Sequence, residues 1–210
     1  FNYRVTLVDS PAVNAVTPPG HIIVYTGLLA FTETESELAG VLAHELAHNY
    51  GHHVGRKLIK ATIAQGMANS AYQAIDPKSQ LARMATTLGM QAGVGLFVKA
   101  YSRFEEKEAD HYGAHILYNA GYDPTAMSIF FLKMYKANPK QPVKFLSTHP
   151  PIPDRADYIT EYLESFPLNR EMRSDTEKYQ QIRKRVLGRG RYTAAPQNQA
   201  MPPAGSPPSP

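Results

Sequence analysis

Along this chain the spacing of apolar positions shifts from strand-like to helix-like. Residues 1–8 alternate, with Tyr3, Val5 and Leu7 on one side, which predicts a strand. Residues 9–19 are rich in turn formers, and residues 21–27 form a β-branched and aromatic run that closes at Gly27. A strand at 21–27 would either line a cleft and pair with an extended peptide, or lie inside a small sheet. From there the period is helical. Thr34 and Glu37 fit an S/T-x-x-E helix start, as do Thr32 and Glu35, and Leu38, Val41, Leu42 and Leu46 give the helix that follows an apolar side. Residues 56–75 and 81–99 read as helices rich in small residues, parted by Asp76-Pro77, with Met67, Met84 and Met90 filling core gaps. In the next helical stretch Ala109, Tyr112, Gly113, Ile116 and Leu117 make an apolar arc. It stops at Gly121 before Pro124, and residues 125–135 form a further amphipathic helix.

Composition narrows the class. With 210 residues, 43% hydrophobic and 19% charged, the chain reads as one soluble catalytic unit with an appendage. The uncharged windows 61–75 and 84–98 fall short of the ~20 apolar residues needed to span a bilayer, which leaves peripheral lipid contact open. The absence of cysteine excludes a disulfide framework and a thiolate zinc site. The net charge of +4 is uneven: residues 170–191 carry 8 Lys/Arg against 3 Asp/Glu, which leaves the remainder near neutral. That segment is read as a helix with a solvated basic face rather than a nucleic-acid site. The expected organisation is a catalytic domain over 1–168, a basic helical extension over 169–192, and a Pro-rich disordered tail or linker over 193–210. The chain begins at Phe1, so any leader is out of view.

The chemistry concentrates at His44-Glu45-Leu46-Ala47-His48, an H-E-x-x-H motif inside the expected helix. Four residues is about one turn, so His44 and His48 can offer two imidazoles to one metal, while Glu45 reaches a water beside it as general base. A metzincin would need its third histidine at position 54, which is Val54. His52 and His53 therefore read as exposed or supporting groups rather than ligands. Between Glu45 and Glu105 the only acidic residue is Asp76, beside a proline, so a third ligand must come later. On a helical wheel, Glu106 and Asp110 share one edge of the apolar arc and Glu105 takes the other. Glu108 falls on the polar side with His111 and His115. Glu106 or Glu105 can point inward, and Glu106 is favoured because Asp110 follows one turn later and could orient a ligand.

The pairing of H-E-x-x-H with Ser102-Arg103-Phe104-Glu105-Glu106-Lys107-Glu108-Ala109-Asp110 resembles metallopeptidase family forty-eight, the HtpX, CAAX prenyl protease and BepA-like zinc enzymes. The likeness covers about residues 10–166. It is nearest the soluble BepA-like members, because the membrane helices of HtpX and the prenyl protease have no counterpart in this sequence. It implies Glu106 as third zinc ligand with Asp110 as its partner. It also implies an active-site role for His149 in His149-Pro150-Pro151-Ile152-Pro153-Asp154-Arg155, either on the reacting carbonyl or as a self-inhibiting fourth ligand. Arg155 would hold that loop or a developing oxyanion, and support is the preferred role.

The resulting expectation is an α+β, mostly helical, zincin-like (gluzincin) domain with a small sheet packed on the metal helix. It would hold one Zn2+ and hydrolyse peptide bonds in protein substrates, unfolded or misassembled ones included. The family points to quality control in the bacterial periplasm or cell envelope. The alternative is a zinc-stabilised binding or chaperone-like module kept inactive by His149 on the metal.

Overall fold

The computed structural model describes residues 2–18, 20–73, 100–137, 144–149, 154–167 and 171–188. The expected helix over 81–99, with Met84 and Met90, and the tail over 193–210 lie outside the described residues.

Three strands make one small sheet: β1 (Arg4–Val8), β2 (Ala15–Val16) and β3 (His21–Tyr25), in the order β1-β3-β2. β1 runs parallel to β3, and β2 pairs antiparallel to it. β3 is therefore the internal strand, which corrects the cleft-edge reading of residues 21–27 and leaves β1 and β2 as the edges. The physical reason is the parallel β1–β3 pairing, which leaves no hairpin turn signal in the sequence. β1 also lies on the surface, with Val5 62% and Leu7 48% exposed.

The rest of the described structure is helical. α1 (Thr26–Phe31) continues directly from β3, and α2 (Glu35–Tyr50) follows. Of the two candidate starts, Thr34 is the N-cap of α2, its side chain accepting from the Glu37 backbone N–H at 3.2 Å. Thr32 instead bonds back to the Leu28 carbonyl of α1. α2 buries Gly40, Val41, Ala43, His44, Ala47 and His48, while Leu38, Leu42 and Leu46 flank this stripe half-buried. Small residues on the buried stripe let other helices come close.

α3 (His53–Gln73) begins at the buried His53 and is mostly exposed from Leu58 to Met67. Met67, expected in the core, is 69% exposed, and Ile59 and Ile63 are exposed beside it. α4 (Arg103–Ala120) crosses α2 at Gly113, where an added Cβ would lie 3.3 Å from the His44 backbone and 3.2 Å from Met127 Sδ. α5 (Thr125–Ala137) supplies Met127, Phe130, Phe131 and Met134 to the core. α6 (Lys144–Thr148) adds Phe145, and α7 (Arg155–Leu163) adds Ile159 and Leu163.

The basic late segment forms α8 (Glu177–Leu187), which lies against α1. Tyr179 is buried with its hydroxyl 2.8 Å from Thr32 Oγ1, and the Arg183 guanidinium donates to the Leu29, Ala30 and Thr32 carbonyls. Arg183 thereby satisfies carbonyls that the end of α1 leaves without helical partners. No described helix is long and apolar enough to cross a membrane.

Candidate metal centre

α2 presents His44 and His48 on one face, with their Nε2 atoms 3.1 Å apart. α4 brings the carboxylates. Its N-cap, Ser102, forms a capping box with Glu105: the Ser102 backbone N–H donates to Glu105 Oε2 at 2.8 Å, and the Glu105 N–H donates to Ser102 Oγ. Glu105 is occupied at the helix start. Glu106, about 100° further round, turns inward and is fully buried, with Oε1 3.3 Å from His48 Nε2 and Oε2 3.5 Å from His44 Nε2.

His149 completes the group from the end of α6. Its ring stacks on Phe145, and its Nδ1 lies 2.9 Å from Glu106 Oε1 and 3.2 Å from His44 Nε2. One donor atom from each of His44, His48, Glu106 and His149 lies within 4.8 Å of the others. Four donors around an ion with bonds of about 2.0–2.1 Å would sit about 3.3 Å apart at tetrahedral angles. The five contacts of 2.9–3.5 Å, made through both Glu106 oxygens, lie near that spacing. Glu106 Oε2 and Glu45 Oε1 are buried without a hydrogen bond. Glu106 Oε2 has Arg155 Nη2 at 3.3 Å and His44 Nε2 at 3.5 Å, and Glu45 Oε1 has His149 Nε2 at 3.1 Å. Buried acceptors left this way suit a cation, so the residues fit a metal ion.

The outward nitrogens of the two α2 histidines are also engaged. His44 Nδ1 lies 2.9 Å from Asp110 Oδ1, and Asp110 in turn accepts from Arg155 and from the Tyr158 hydroxyl. The family resemblance implies Asp110 as a partner of Glu106. Its hydrogen-bonding partners are instead His44, Arg155 and Tyr158, because Asp110 lies one turn deeper along α4, where α2 passes. Arg155 stacks over Phe131 at 3.5 Å. His48 Nδ1 lies 2.6 Å from His53 Nδ1, and the ring of Tyr101 stacks on His48 with centroids 3.8 Å apart.

Burial and charge set the protonation states. Burial holds His48 well below its usual pKa, outweighing its hydrogen bond to Glu106. Burial would raise Glu106, but the charge and hydrogen bond of His149, with those of His44, hold it far below the usual carboxylate range. Asp110 is likewise lowered, its burial outweighed by the Arg155 charge and the His44 hydrogen bond. Burial would lower His149, yet the charges of Glu45 and Glu106 raise it to about 9.

The model of Peptidase family M48 matches residues 2–163. The chain belongs to peptidase family M48. The mitochondrial metalloendopeptidase OMA1 of Bos taurus is 34% identical over 168 residues, 76% of this chain and 32% of that protein. The β-barrel assembly-enhancing protease of Yersinia pestis is 32% identical over 158 residues, and the putative one of Vibrio cholerae is 34% identical over 160; each alignment spans 70% of this chain and 32% of the relative. The chain thus spans about a third of the length of these curated relatives. Membership supports metal-dependent peptidase chemistry at the buried His-His-Glu-His cluster of this M48 chain.

Several groups at the centre of the M48 unit are marked in the sequence only in part or not at all. Ser102-x-x-Glu105 is a capping signature, and it separates Glu105 from Glu106. Tyr101, just before it, carries no signal that predicts stacking on His48. His53 is fully buried although it neighbours the exposed His52, because His52 adopts φ 52° and reverses the chain after α2. Of the other histidines weighed as ligands, His115 Nε2 meets the Tyr162 hydroxyl and His111 stacks on Tyr162, away from the centre.

Proposed function

We propose that this chain is a zinc-dependent endopeptidase of the zincin-like, gluzincin type, in which His44, His48 and Glu106 hold the metal and His149 latches its fourth position. The observation that carries this reading is the buried cluster of His44, His48, Glu106 and His149, whose donor atoms lie within 4.8 Å of one another, with Glu45 beside it. A compact imidazole and carboxylate donor set without thiolate suits Zn2+. Bound zinc supplies Lewis acidity that activates water and polarises a scissile carbonyl. Glu45 takes the proton from the attacking water and delivers it to the leaving amine. Asp110, braced by Arg155 and Tyr158, holds the His44 ring with Nε2 turned inward. His149 stands against both Glu106 and Glu45, so water and substrate gain access only when it swings aside. Arg155 acts as support through Asp110.

In the domain organisation we favour, residues 1–168 carry the catalysis and 169–192 extend it, with α8 clamped on α1. The β-barrel assembly-enhancing relatives motivate the biological part of the reading: protein substrates, unfolded or misassembled, in the bacterial periplasm or cell envelope. Fractionation of the source cells tests it, and recovery only in the cytoplasm would remove that part.

Cleavage of an unfolded protein such as casein, measured alongside zinc content, tests the chemistry. Glu45→Gln keeps zinc and loses about 10²–10⁴-fold in rate. His149→Ala raises the rate if the ring is a latch and lowers it if the ring binds the reacting carbonyl. The position of His149 also favours a second reading, a zinc-stabilised binding module. If wild type and His149→Ala both hold zinc and neither cleaves, that reading replaces the first.

A further inference from the structure

Behind His48 stands a chain of groups that the proposed chemistry leaves unused. α2 ends at Tyr50, Gly51 caps it, and His52 turns left-handed, so that the His53 ring folds back beneath the end of α2. A Cβ on Gly51 would lie 2.5 Å from His53 Nε2, so only glycine leaves room for that ring. His53 is fully buried, with Nδ1 2.6 Å from His48 Nδ1 and Nε2 3.0 Å from Glu108 Oε2. Arg56 Nη2 donates to the same Glu108 oxygen at 2.6 Å.

Counting protons along this chain gives one arrangement for neutral rings. An ionised carboxylate only accepts, so His53 Nε2 carries the hydrogen that points to Glu108. A neutral imidazole has one N–H, so His53 Nδ1 is an acceptor. His48 Nδ1, facing that acceptor, must then carry its own hydrogen. The lone pair of His48 is left on Nε2, which faces Glu106 Oε1 and His44 Nε2. His44 reaches the same tautomer by another route, its Nδ1 directed at Asp110.

We propose that His53, held by Glu108 and Arg56, is a positioning residue that fixes the tautomer and ring orientation of His48 for the metal. This rests on the zinc reading above. A ligand histidine anchored through its outer N–H keeps its orientation and basicity, and losing such a partner typically weakens metal binding 10–100-fold. Here the anchor is a second histidine, with the carboxylate one step further out.

The test uses the full chain, with zinc affinity measured by chelator competition and the His48 tautomer read from long-range 1H–15N spectra of the zinc-loaded protein. His53→Phe keeps the ring volume and removes the acceptor; it should weaken zinc binding about 10–100-fold and lose the single Nδ1–H tautomer. His53→Gln can accept from His48 and donate to Glu108, and should recover most of both. Glu108→Ala, which leaves the His53 ring in place, should also weaken zinc and mix the tautomers. Unchanged affinity and tautomer in a folded His53→Phe, or in Glu108→Ala if the first variant does not fold, overturns the inference. So does a His53→Gln variant no better than His53→Phe. If wild type fails to bind one zinc per chain, the zinc reading itself falls, and this inference with it.

Discussion

Glu105 and Glu106 are adjacent and chemically identical, yet the backbone gives them separate work. Glu105 belongs to the helix start, where losing a cap costs about 1 kcal/mol, and Glu106 belongs to the buried donor cluster. Glu105→Ala should therefore lower stability by about 1 kcal/mol and still bind zinc, whereas Glu106→Ala should lose zinc. Urea unfolding with metal analysis checks both, and zinc binding by Glu106→Ala would remove that residue from the site. Asp110 carries a different burden. It is a fully buried anion facing the buried Arg155, so Asp110→Ala removes that cation's shortest ion pair and leaves it Glu106 at 3.3 Å. Breaking such a pair costs about 3–5 kcal/mol, and the unfolding midpoint in urea should fall accordingly. Spacing marks the H-E-x-x-H pair, and helical phase narrows the inward carboxylate to Glu105 or Glu106, with the family resemblance favouring Glu106. His53, Glu108 and the Asp110–His44 contact are not marked in this way, because each depends on how two helices cross or on one left-handed residue.

The crossing of α2 and α4 converts these residues into a centre. Gly113 lies over the His44 backbone, and Met127 of α5 fills the space beside it. Gly113→Ala would ask its neighbours to yield a few tenths of an ångström; Gly113→Val asks for more than the contact allows. Overpacking of this kind costs about 1–3 kcal/mol. Because the push acts along the α2–α4 axis, it should also move Glu106 away from the two imidazoles. Gly113→Val is thus expected to lose zinc affinity along with stability. A stability loss with zinc affinity unchanged would show that the crossing distance does not set the donor spacing. α1, α6 and α7 are not evident from apolar period and caps, whereas α2, α4 and α5 are. The crossing point was less so, since Gly113 read from sequence is merely a member of an apolar arc. The sheet was harder still: β1 finds β3 through parallel pairing of residues more than a dozen apart, and no local pattern announces which strand will be internal.

The donors come from three separate stretches, 44–48, 106 and 149, so one ion would tie α2, α4 and the end of α6 to each other. Such an ion has little to bind in the unfolded chain, and its binding free energy becomes folding free energy. At free zinc 1,000-fold above the dissociation constant this amounts to about 4 kcal/mol. Chelation of wild type should therefore lower the melting temperature by an amount that grows with the zinc concentration it removes. Variants separate the cause. Glu45→Gln, which retains every donor, should show the wild-type shift; His48→Ala should show almost none. His149→Ala should show a smaller shift if its ring contributes a fourth bond, and the full shift if it only covers the site. α8 offers an internal control, because its Arg183 and Tyr179 contacts hold α1 without touching the centre. Arg183→Ala should lower the melting temperature with and without zinc alike. A wild-type melting temperature unmoved by chelation would mean that no metal couples these three stretches, and the hydrolytic reading would lose its basis.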